Sequence, residues 1–102
     1  MFEKQILVLR KEPFKEAEMD PLFDNTLEAV QKAVGGNFEV LYIASDVVVL
    51  CNEEARILEM PFNTSICGVS IYGPLLVVGV KGSDFCSLNP SYLKLLEDML
   101  RR

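Results

Sequence analysis

The stretch Val47-Val48-Val49-Leu50-Cys51-Asn52-Glu53-Glu54-Ala55-Arg56-Ile57-Leu58-Glu59-Met60-Pro61-Phe62-Asn63 decides how the rest of the chain is read. Val47 to Cys51 is a short, wholly apolar run rich in β-branched residues, and reads as a buried strand. Asn52 to Ala55 is a polar, acidic turn. Arg56 to Met60 is apolar again, and the simplest reading makes it a third strand of a meander. Pro61 limits how far that strand can pair, since proline offers no donor to a ladder.

Upstream, Phe38 to Ile43 alternates at first, with Phe38, Val40 and Tyr42 on one side. Ala44-Ser45-Asp46 is a tight turn between it and Val47, so the two strands form an antiparallel hairpin. Before them, Leu27, Val30, Ala33 and Val34 recur at helical spacing, with Glu28 and Lys32 four apart on the outer face. Asp24 or Asn25 is expected to cap this helix, and Gly35-Gly36 to stop it. Gln5 to Leu9 reads as a buried strand that follows directly on Met1-Phe2-Glu3-Lys4. Arg10-Lys11-Glu12-Pro13 reads as its solvated end, with contact of the basic pair Arg10-Lys11 to a phosphate as the lesser alternative, and Phe14 to Asp20 as a loop or an edge strand.

Downstream, Cys67-Gly68 marks a turn, and Ser70 to Pro74 and Leu75 to Val80 are two strand segments kinked at Gly73-Pro74. Leu75 to Val80 is apolar on both sides of the pleat and is expected at the centre of a sheet. Gly79 within it points to a bulge or a close backbone approach. Lys81-Gly82-Ser83-Asp84 is a turn and Phe85 to Leu88 is extended. Asn89-Pro90 opens a last helix running to the C-terminus, with Leu93, Leu96 and Leu100 on its apolar face and Tyr92, Leu95 and Met99 beside them. Arg101-Arg102 complement its dipole. The whole is one α+β domain: a mostly antiparallel, twisted sheet of about five to six strands with two helices, one early and one C-terminal.

With 102 residues and half of them apolar, the chain suffices for a single core. The net charge of −5 argues against nucleic-acid binding, which needs a basic face. Between Ala33 and Leu93 the only basic residues are Arg56 and Lys81, against six acids. Three scattered cysteines and no histidine give no metal-ligand spacing and leave general acid–base chemistry to carboxylates, lysine, tyrosine or thiols. Glu53-Glu54 are adjacent, so their side chains diverge and read as turn chemistry. Arg56 is expected to pair with Glu54 or Glu59, unless it grips an anion. No apolar run approaches membrane-spanning length, and an odd number of thiols without a signal peptide suits a reducing cytoplasm.

Several short words in this order carry a resemblance: Gly35-Gly36-Asn37-Phe38-Glu39-Val40, Val49-Leu50-Cys51-Asn52-Glu53-Glu54, Pro61-Phe62-Asn63, Val77-Val78-Gly79 and Asp84-Phe85-Cys86-Ser87-Leu88. From about Leu27 onward the chain resembles a family of short proteins catalogued only as a domain of unknown function, found in phages and mobile elements of gut Firmicutes and related bacteria. The family pattern commonly has glycine where this chain has Ala55, and arginine where it has Thr64. The resemblance implies a small accessory protein of phage origin and no assigned reaction. The expected function is therefore non-enzymatic and without cofactor: holding a small nucleotide-like ligand, as a counter-defence protein and a homo-oligomer. The ligand is expected near Asn52, Arg56, Asn63 and Thr64, with Lys81, Gly82, Ser83 and Asp84 as the opposing wall. The alternative is a protein-interaction module that inhibits or redirects a host protein through its acidic surface.

Overall fold

The chain runs β1 (Gln5–Lys11), β2 (Glu18–Asp24), α1 (Leu27–Val34), β3 (Phe38–Ala44), β4 (Val47–Asn52), β5 (Phe62–Ile66), β6 (Val69–Tyr72), β7 (Leu75–Lys81), β8 (Asp84–Cys86), a 3-10 turn at Pro90–Tyr92 and α2 (Leu93–Met99). The computed structural model describes residues 4–101. The expected lead-in over residues 1–3, and the part of Arg102 in the helix dipole, lie outside the described residues.

Every residue of β4 and all of β7 except Lys81 are buried. Strands covered on both faces need no alternation, which is why these two runs are apolar throughout. They pair antiparallel at the middle of a six-stranded sheet ordered β2-β1-β7-β4-β3, with β8 also paired to β7. The β3–β4 hairpin forms as expected, with Leu41 opposite Val49 and a bulge at Ile43. The other edge of β7 is shared: Leu75 to Val77 pair with β1, and Gly79 to Lys81 with β8. Gly79 is the close approach its sequence position suggested. A Cβ there would stand 2.5 Å from the Ser87 carbonyl oxygen, so no side chain fits without moving the backbone.

Two layers cover the sheet. On one face, α1 buries Val30 and Val34 against Ile6, Val8, Val48, Leu50 and Leu76. Its cap is Thr26 and not Asp24 or Asn25: the Thr26 hydroxyl accepts from the Ala29 amide at 3.1 Å. Asp24 is still part of β2, and the Asn25 side chain donates to the Phe85 carbonyl at 3.0 Å. Leu27, at the first position of this short helix, is left 61% exposed. Gly35 closes the helix in the left-handed conformation, at φ 84. On the other face, α2 and the separate β5–β6 hairpin enclose Leu9, Val49, Leu75, Val77, Ile66 and Ile71 with Leu96 and Leu100. Asn89 caps the 3-10 turn, accepting from the Ser91 amide at 3.0 Å. The last helix is thus shorter than expected, and Arg101 beyond it lies 3.8 Å from Asp98.

Three segments depart from the sequence reading, one of them residues 62–66, which were not read as a strand and form β5 of the separate hairpin. Residues 56–60 are a compact turn and not a third meander strand, held by Leu58 N–H to the Glu54 carbonyl and Met60 N–H to the Ala55 carbonyl, both at 2.9 Å. The reason is topological: both edges of β4 are already occupied, by β3 and β7, so a returning strand would find no ladder to join. Glu59 takes φ 55 to reverse the chain. Residues 18–24 form the edge strand β2, extending through Pro21, where a loop or edge strand ending at Asp20 was expected. The register slips between Val8–Asp20 and Ile6–Phe23, so the proline sits in the irregular segment of an outer strand, where no donor is required.

Candidate functional site

Strand alternation places Leu9 and Lys11 of β1 on the same face, the one covered by the hairpin. Leu9 is fully buried, and Lys11 is buried with it, only 6% exposed. Lys11 is therefore not the solvated strand end its neighbours suggest, although Arg10 beside it is, lying 3.5 Å from Asp20 and over the Phe23 ring. The Lys11 ammonium donates to the Asn63 Oδ1 at 2.7 Å. Asn63, equally buried, donates through its Nδ2 to the Lys11 and Gly73 carbonyls, both at 2.8 Å. It sits where the β5–β6 register slips between Phe62 and Thr64, which turns its amide toward β1. One asparagine thus fastens the hairpin to the sheet and orients the lysine.

Among the described residues no carboxylate lies within ion-pair distance of Lys11; the ion pairs present are Arg10–Asp20, Lys15–Glu12 and Arg101–Asp98. Asn63 accepts one of the three ammonium donors and offers no negative charge. Desolvation accordingly pushes the Lys11 pKa below its ordinary value of 10.5. The ammonium borders an open cleft of about 460 Å³, lined also by Phe14, Lys15, Glu16, Ala17, Phe62, Glu97, Leu100 and Arg101. Phe14, at the tip of the β1–β2 loop, has φ 67 and is 88% exposed. A phenylalanine rarely takes that backbone conformation, and here it presents an aromatic face at the cleft mouth. Lys15 and Arg101 are tied only to exposed acids, by pairs that contribute little and leave both free to turn inward.

Of the residues expected to form the site, Asn52 and Arg56 line one small pocket of about 140 Å³, with Glu39, Glu53 and Glu54, while Asn63, Thr64 and Lys81 to Asp84 are not part of its lining. Asn52 is a structural clamp: its Nδ2 donates to the Val34 carbonyl at 3.1 Å and its Oδ1 accepts from the Glu54 amide at 2.7 Å. Arg56 pairs with neither Glu54 nor Glu59; its guanidinium lies 5.0 Å over the Tyr72 ring, beside the exposed Ile57 and Leu58. Thr64 is completely buried, and its hydroxyl has no hydrogen-bond partner. Lys81 to Asp84 form the β7–β8 turn, with Gly82 at φ 63. That turn is six residues along β7 from Leu75, about 20 Å, so it cannot wall a pocket containing Arg56 or Asn63. Of the expected set, Asn63 alone reaches the cleft. Phe14, Lys15 and Arg101 were missed, and for Lys11 a phosphate contact was the lesser of two readings; the local signal for its burial is that it shares its pleat face with Leu9.

The environment of Cys51 favours the neutral thiol over the thiolate. Burial, the nearby Glu39 charge and an S–H contact of 3.7 Å to its Oε1 push the thiol up to about 12. Among the described residues there is no group of three or more Cys, Asp or Glu side chains placed to hold a metal ion, and no helix long and apolar enough to cross a membrane.

The chain belongs to the family described as a domain of unknown function, DUF3846, whose model matches residues 4–101. The match extends further toward the N-terminus than the resemblance read from about Leu27, and takes in β1 with Lys11. No curated protein and no solved structure matches the chain.

Proposed function

We propose that this chain is a non-enzymatic binding protein whose cleft at Lys11 holds a small nucleotide-like anion. The carrying observation is Lys11 itself, a buried lysine whose ammonium has no carboxylate partner among the described residues and borders the open cleft. A buried charge lacking a counter-charge is unfavourable, and an anion entering the cleft relieves that cost at the moment of binding. Lys15 and Arg101 at the rim supply further positive charge for a phosphate, while Phe14 and Phe62 offer aromatic surface for a base. The turns carrying Arg56 and Lys81 to Asp84 have no part in this reading. Taking a host nucleotide messenger out of circulation, in a phage setting, is the role such a protein would perform.

The test is a thermal-shift panel of mono-, di- and cyclic nucleotides, with inorganic phosphate as control. At a ligand concentration one hundred times Kd, the expected stabilisation is about 2.7 kcal/mol. Lys11→Met should abolish the shift while the variant stays folded. No shift with any nucleotide, or an undiminished shift in the Lys11→Met variant, would remove the basis for this reading.

A further inference from the structure

The two outer strands of the sheet differ in a way that monomer stability does not require. The β2 edge carries Glu18, Asp20 and Asp24 and the donor-less Pro21, and its register is broken by a bulge. These are the devices by which a protein keeps a sheet edge from pairing with another chain. The β3 edge has almost none of them. Its sequence, Phe38-Glu39-Val40-Leu41-Tyr42-Ile43-Ala44, holds one charge, no proline and no lysine, with its bulge confined to the far end at Ile43.

Beside that open edge the α1 face is apolar and largely uncovered, and the other face carries Glu39 with the half-buried Leu41 and Ile43. On the α1 face, Val40 is 40% and Tyr42 64% exposed, because α1 lies over the centre of the sheet and stops short of them. On the other face, Ile43 and Ala44 border a small apolar hollow of about 150 Å³ shared with Tyr92, Leu95 and Met99, and Leu95 is 61% exposed.

We infer that β3 is a dimerisation edge, pairing antiparallel with β3 of a second copy about a two-fold axis near Leu41 to give one continuous sheet. The occupant is a second copy because the strand is complementary to itself. About that axis Val40 of one chain faces Tyr42 of the other, an aromatic–β-branched cross-strand pair that occurs twice. The two Glu39 carboxylates stand four positions apart, about 13 Å, and so avoid each other. A pairing that set Glu39 against Glu39 would place like charges opposite and is disfavoured. The strand edge alone falls short of the roughly 1,000 Å² that a stable interface needs, and the exposed Val40, Tyr42 and Leu95 on both faces add to it. This inference is independent of the ligand reading, since β3 does not border the Lys11 cleft.

The experiment is light scattering coupled to size-exclusion on the full chain at about 10 and 200 µM, with amide hydrogen exchange. The wild type should elute at twice its chain mass of 11.5 kDa, with slowed exchange across residues 39–42. Val40→Lys and Tyr42→Lys, at positions already solvent-exposed in one copy, should give folded monomers with fast β3 exchange. Met19→Lys on the β2 edge should remain a dimer. A wild-type monomer at 200 µM, a dimer unchanged by both β3 variants, or one dissociated by Met19→Lys would each overturn the inference. So would a monomer whose β3 is protected only when an unrelated partner protein is added.

Discussion

Asn52 and Asn63 are buried to the same degree, and each fastens a covering layer to the sheet, but the company they keep differs. Asn52 ties the last turn of α1 to β4, and both ends of its amide are paired to backbone groups. Asn63 ties the β5–β6 hairpin to β1 beside a buried ammonium, an unpartnered threonine hydroxyl and an open cleft. On the α1-covered face the clamp leaves neither end of its amide without a backbone partner. The hairpin-covered face departs from that standard in three places close together in sequence or space, and such departures collect where a protein has something besides stability to maintain.

The sharpest way to break this contrast is to remove each clamp. Asn63→Ala strands the Lys11 ammonium and two backbone carbonyls and should cost about 3–4 kcal/mol, whereas Asn52→Ala should cost about 2 kcal/mol. Urea unfolding monitored by circular dichroism measures both, and a larger loss from Asn52→Ala would invert the comparison.

A smaller effect sharpens it through pH. The folded chain releases the Lys11 proton below the ordinary 10.5, so between those two pKa values the unfolded chain binds more protons. Stability contributed at this site therefore rises with pH through that window and levels off above 10.5. Relative to Lys11→Met, whose stability at neutral pH should lie within about 1 kcal/mol of wild type, the wild type should gain as pH is raised from 8 toward 10.5. A difference that is flat, or of opposite slope, would mean that Lys11 is not desolvated in the folded chain.

The smallest expected change is a gain. Thr64→Val keeps the shape and discards a hydroxyl that has lost its water and found no partner, and should stabilise by about 1 kcal/mol. Denaturant midpoints detect this, and a destabilised variant would indicate that the hydroxyl is hydrogen-bonded after all.

These residues also show what could be read before any coordinates. The two apolar runs Val47 to Cys51 and Leu75 to Val80 were legible as buried strands because no surface strand tolerates such continuity. α1, the β3–β4 hairpin and the capping of the last helical segment were legible from periodicity and from Gly35, Asn89 and Pro90. Residues 56–60 were not, because five residues with three apolar side chains among them have the same composition in a turn as in a strand, and only the saturated edges of β4 decide between them. The site was the least legible part. Lys11 and Asn63 are 52 positions apart, and nothing local to either announces that a register slip in one strand will turn an amide onto the end of another. The pleat of β1 alone gave a hint, by placing a lysine in line with a leucine.

The position of β7 sets the order in which the molecule can be made. This strand lies between β1 and β4, so the β1–β2 and β3–β4 hairpins have no sheet to join until residues 75–81 have been synthesised. On the ribosome, the chain must carry two unpaired hairpins with exposed apolar faces until β7 emerges. Joining them requires contacts far apart in sequence, which close slowly. The most vulnerable moment of this protein is therefore during its synthesis, when a strand edge meant for β7 is open to any neighbouring nascent chain.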